Sequence, residues 1–279
     1  MTRQDALRTG GMRMRRGRVQ VRRERPTALS WSIALTVTML VVYVLTLQSA
    51  RPDAVETVAP APRVTRTVAL EAIKGWCIVL GEYPSEDSAR MEAASDASRG
   101  SAGCVVEGDG KWRVLGAMYE GERDARRVAA RLQREGFPEA DVLPLTAEAL
   151  TLRITAPDQQ IDAIAAVDAA LLAQVRQLGV LALQLDRGDI RPDGARTLCA
   201  VAQGEIAEAG RSLARMPGAT DNGLCAALVD AAGRLADQLG TLAESGQDAP
   251  AALSGMIRLV QIETFLRLRS LREGLITGG

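Results

Sequence analysis

From Ala28 to Gln48 the chain reads ALSWSIALTVTMLVVYVLTLQ, 21 residues without a charged side chain. At 1.5 Å per residue such a helix is roughly 31 Å long, about the thickness of a bilayer's hydrocarbon core. Trp31 lies near one end, where interfacial aromatics are enriched. Residues 1–25 carry nine arginines against Asp5 and Glu24, a net +7 in a chain that is neutral overall. Basic flanks stay in the cytoplasm. The sequence therefore predicts a basic cytoplasmic tail over residues 1–27 and a transmembrane helix over 28–48. Everything after it is expected outside the cytoplasm, in a single-pass protein of the cell membrane. The other reading is a cleaved signal peptide, whose apolar core is normally shorter, 7–15 residues. Gln48, two positions before a cleavage at Ala50, fits that poorly. The arginine run is explained by topology, so the expected partner is the lipid bilayer and not nucleic acid.

The chain contains no histidine. That excludes Ser-His-Asp and Cys-His nucleophiles and any histidine-containing metal site. The four cysteines, Cys77, Cys104, Cys199 and Cys225, show no C-x-x-C spacing, so zinc and thioredoxin-like chemistry lack support. They read as small buried hydrophobes, with one or two disulfides as the alternative outside the cell. No acid pair, metal cluster or phosphate loop is recognisable, so the chain reads as a non-enzyme without cofactors.

Residues 49–74, with Pro52, Pro60 and Pro62, read as an extended linker. Residues 75–148 then alternate strand and helix patterns. Trp76-Cys77-Ile78-Val79-Leu80 is a short apolar run, hence a buried strand. Ser85 is a helix N-cap, with Glu86 and Asp87 in the first turn. Cys104–Glu107 and Trp112–Leu115 are strands joined by the turn Gly108-Asp109-Gly110. A second helix runs from Glu122 to Glu135 and stops at Gly136. Asp141–Leu145 is a fourth strand. The order is βαββαβ. The order also repeats: Trp76-x-Ile78-x-x-Gly81-x-Tyr83 and Trp112-x-Val114-x-x-Ala117-x-Tyr119 each lead into a helix.

Those residues, with Arg113, resemble the SPOR domain, a peptidoglycan-binding module of bacterial cell division and sporulation proteins. The resemblance covers about 70–75 residues. It implies a ferredoxin-like fold with a four-stranded antiparallel sheet whose open face holds glycan strands. It also implies that peptidoglycan is the partner. The family's glutamine and serine are replaced here by Val79 and Glu82. By strand alternation the open face is expected to carry Cys77, Val79, Lys111, Arg113 and Leu115. Val79, Lys111, Arg113, Leu115 and Tyr119 are the candidate glycan-binding residues. The alternative is that this face is covered by another part of the chain or by a partner.

Residues 157–279 read as helical throughout. Ile164, Val167, Leu171, Val175, Leu178, Ala182 and Leu185 recur at steps of three and four, one stripe of a long helix. Three more amphipathic segments come after it, broken near Asp189–Gly194, Met216–Gly218 and Ser245–Ala249, which predicts a bundle of about four helices. The first and last carry the widest apolar faces and are expected to cover the sheet or hold another division or sporulation protein. The fold class expected overall is α+β. The expected function is a membrane-anchored glycan-binding localisation factor. Its alternative is a protein–protein interaction factor that has lost the glycan site.

Overall fold

The computed structural model describes residues 62–219 and 222–277, so the predicted basic tail and transmembrane helix lie outside the described residues. Among the described residues the fold is α+β, with six helices and two antiparallel sheets. Strands β1 (Arg63–Leu70) and β2 (Ile73–Tyr83) precede helix α1 (Glu86–Ala97). Strands β3 (Cys104–Gly108) and β4 (Lys111–Tyr119) lead to α2 (Glu122–Arg134). Strands β5 (Asp141–Ala147) and β6 (Leu150–Pro157) lead to α3 (Asp158–Arg187), α4 (Pro192–Ala214), α5 (Gly223–Glu244) and α6 (Pro250–Thr277).

Local chemistry sets most of these boundaries. The Ser85 hydroxyl accepts from the Ser88 amide and caps α1 as expected. The β3–β4 turn needs positive φ at two successive residues, and Asp109 (φ 53°) and Gly110 (φ 72°) supply it, the pairing that suits a tight hairpin. Gly188 ends α3 in the left-handed conformation, which relieves the Cβ clash other residues would meet there.

The larger sheet has the strand order β3-β4-β2-β5, with every neighbouring pair antiparallel. The smaller pairs β1 with β6, from Arg63 opposite Pro157 to Leu70 opposite Leu150. The β2–β5 ladder continues that register, with Ile73 opposite Ala147, so the two ladders form one ribbon interrupted only at residues 71–72 and 148–149. This corrects the linker reading for residues 63–74. Residues 63–70 and 73–74 are extended but paired, and Val68 and Leu70 are buried beside Ile154 and Ala156 in the core that α3 shares. The β-branched and aliphatic residues set between Thr and Arg in both strands suit a pleated, half-buried ribbon. Arg66 fixes it to the start of α3 by bonding Asp158 (2.5 Å) and Asp162 (2.9 Å).

The larger sheet is covered on both faces. On one, Ile78, Leu80 and Val114 pack with Ala89 and Ala93 of α1 and Ala125 and Ala129 of α2. On the other, Cys77, Val79, Cys104, Leu115, Met118 and Leu145 belong to one apolar cluster with Leu253, Ile257 and Phe265 of α6. That cluster runs on through α3, α4 and α5, where α4 packs chiefly on α5 and α6 chiefly on α3. Helix α3 is long and apolar enough to cross a bilayer, but its apolar window is half buried inside this bundle.

Glycines let α6 lie close to the sheet. A Cβ on Gly75 would stand 2.7 Å from Met118 Sδ and 3.1 Å from the Phe265 ring. A Cβ on Gly255 would stand 2.6 Å from the Ser101 carbonyl oxygen. Polar anchors hold both ends of the helix. Near its start, Arg258 donates to Gly100 O (2.6 Å) and pairs with Asp186. Near its end, Arg272 is wholly buried, pairs with both oxygens of Asp168 (2.9 and 3.1 Å) and donates to the Glu71 carbonyl.

Candidate functional site

Where β2 ends and β4 and β5 begin, the sheet reaches beyond α6 and leaves a polar cleft of about 500 Å³. Cross-strand register builds its floor. Glu82 lies opposite Arg113, and its carboxylate accepts from Lys111 Nζ and Arg113 Nε, each at 2.7 Å. The hairpin turn returns Asp109 to Arg113 at 3.1 Å. Hydrogen bonds from Lys111 and then Arg113 hold the Glu82 carboxyl below the usual glutamate range. Both cations are thus matched within the cleft. Glu139 and Asp141, on the facing wall, form no ion pair among the described residues. Val79, Val142 and Leu143 supply the apolar part of the lining.

Carboxylates accept hydrogen bonds and repel anions, so this cleft suits a cationic ligand or a neutral one rich in hydroxyl groups. Among the described residues no three of His, Cys, Asp and Glu gather to hold a metal ion. The four cysteines are free and buried. Burial pushes the Cys77 and Cys104 thiols up to about 12.

The five candidate residues do not form one site. Val79, Lys111 and Arg113 come together in the strand-end cleft. Leu115 is fully buried in the cluster with α6, and Cys77 with it, so the expected open face is closed over most of its length. Alternation assigns these residues to the right face, but the cover is a helix more than a hundred residues away in sequence. Tyr119 packs on the opposite face, with α1 and α2. Paired bulges near Leu80 and Gly116 shift the register of β2 and β4, so alternation counted from Lys111 fails beyond Leu115. Sequence reasoning misses Glu82, Glu139 and Asp141. Glu82 is legible as the acid opposite Arg113, whereas nothing local marks the other two.

No protein-family model matches this chain, and no curated protein and no solved structure matches it.

Proposed function

We propose that this chain is a membrane-anchored scaffold protein of the bacterial cell envelope, acting in division or sporulation through protein contacts. In this reading the basic tail is cytoplasmic, residues 28–48 cross the bilayer, and a SPOR-like unit of residues 75–148 stands outside with the helical bundle. The aromatic-spaced repeat of Trp76, Tyr83, Trp112 and Tyr119 supports the likeness. So does the strand order β3-β4-β2-β5, which is that of a ferredoxin-like βαββαβ unit. One observation favours protein contacts over glycan: the face that SPOR domains use for glycan carries α6 here, with Cys77 and Leu115 at 0% exposure. The role is binding and positioning, without catalysis or cofactor.

Co-sedimentation of the full-length protein, in mild detergent, with purified cell-wall sacculi tests this. The protein should stay in the supernatant while a glycan-binding SPOR domain pellets. Pelleting with sacculi would overturn the scaffold reading in favour of a second one, glycan contact at the strand-end cleft. The carboxylates beside Val79 and Leu143 favour that alternative. In that case Arg113→Ala, which leaves Glu82 held by Lys111 alone, should reduce retention.

A further inference from the structure

Helices α1 and α2 lie on the same face of the larger sheet but stand apart, α1 over β3 and β4 and α2 over β5 and β2. A cleft of about 550 Å³ opens between them. Its floor is Leu80, Gly116 and Ala117, its α2 wall is Val128 and Leu132, and Leu185 of α3 closes one end. Strand β3 pairs with β4 as far as Leu115, and the Ala102 amide, just before β3, donates to Gly116 O at 2.7 Å. The size and apolar lining are those of a ligand site.

Asp96 lines the same cleft. It is 5% exposed, and no hydrogen bond reaches its carboxylate from the described residues. It also stands in the last turn of α1, where the helix dipole disfavours an acid. Burial pushes its carboxyl above the usual aspartate range, and Arg99 offsets this only in part. Its carboxylate oxygens are not among the sealed, unpartnered atoms of the fold, so they open to the cleft as acceptors that a donor from outside can reach. Around it, Arg99 and Arg131 are exposed at the rim.

These groups discriminate among ligands. A simple anion meets Asp96, a simple cation meets Arg99 and Arg131, and a hydrocarbon leaves Asp96 unpaired. A peptide offers N–H donors, carbonyl acceptors and apolar side chains together. We propose that the cleft between α1 and α2 binds a short apolar peptide segment of a partner protein. Asp96 takes backbone N–H groups, Arg99 and Arg131 take carbonyls, and side chains fill the floor over Ala117. The inference rests on the scaffold reading and gives it a docking site.

The test is selection of a random peptide display library on the immobilised full-length protein in mild detergent. The selected peptide is then titrated by fluorescence anisotropy. A consensus with closely spaced apolar residues is expected, bound about tenfold more weakly after Ala117→Trp, which fills the floor, and after Asp96→Asn. Arg131→Glu, an exposed change that leaves the fold intact by circular dichroism, should also weaken binding severalfold. Absence of any consensus, or equal binding by Arg131→Glu and Ala117→Trp, overturns the proposal. Sacculus retention would overturn the scaffold reading alone, whereas failed selection without sacculus retention overturns the cleft alone.

Discussion

Removing the carboxylate of Asp168 should unfasten α6 from the rest of the fold. Arg272 is 0% exposed, and Asp168 on α3 is its sole charge partner among the described residues. Its other guanidinium contact is the Glu71 carbonyl, at the turn between β1 and β2, and its Nε donates to nothing among the described residues. Burial pushes the Asp168 carboxyl up, and the guanidinium pulls it back. Asp168→Ala therefore leaves a full positive charge in an apolar interior with one neutral acceptor. Stranding one partner of a buried pair costs about 3–5 kcal/mol, roughly 1–2 M in urea midpoint for a domain of this size. Replacing both residues, Asp168→Leu with Arg272→Met, removes the charge as well as its partner and should restore most of the loss. Equilibrium urea unfolding of the wild type, the single variant and the double variant measures this. A loss below about 1 kcal/mol for Asp168→Ala, or a double variant no better than the single, would refute the reasoning.

Gly255→Ala gains about 1 kcal/mol of helix propensity but drives a methyl into the Ser101 carbonyl, so a net fall of about 2–6 °C in Tm is expected by calorimetry. The four thiols should be silent to Ellman's reagent in the native protein and all react in urea, since burial raises Cys77 and Cys104 to about 12 and Cys199 to about 11. The Glu82 carboxyl is held low by Lys111 and Arg113, so its stabilising contribution is present above the ordinary glutamate value of about 4.3 and fades as pH falls through its lower folded value. Carbon-detected NMR titration should place its midpoint below that ordinary value, and Arg113→Ala should raise it.

The larger sheet is legible in the sequence because its signals are local. Trp76–Leu80 is an apolar run, Asp109-Gly110 can only turn, and Ser85 caps the helix that begins at Glu86. The four bundle helices announce themselves through spacings of three and four, as in Leu171, Val175 and Leu178. Strands β1 and β6 are not legible, because Val64–Val68 is a half-polar alternation that becomes a strand only when residues 150–157 lie beside it. The site is only partly legible for the same reason. Val79, Lys111 and Arg113 are placed by alternation within two neighbouring strands. Leu115 depends on the distant α6, and Tyr119 on bulges that periodicity does not foresee. Val79, an apolar residue on the sheet face beneath α6, is the local sign that this face carries an apolar cover.

The closure of the sheet by α6 decides between a scaffold and a glycan reader. It can be measured through Gly75, where a Cβ would stand within 3.1 Å of both Met118 and Phe265, two residues of one apolar cluster. The chain has two phenylalanines, Phe137 and Phe265, so a methyl-labelled NMR sample of the full-length protein resolves the contact. A nuclear Overhauser cross-peak from the Phe265 ring to the Met118 methyl or the Gly75 α-protons is the expected result. Absence of both cross-peaks, with the Met118 methyl accessible to a soluble relaxation agent, would show the face open and contradict the account.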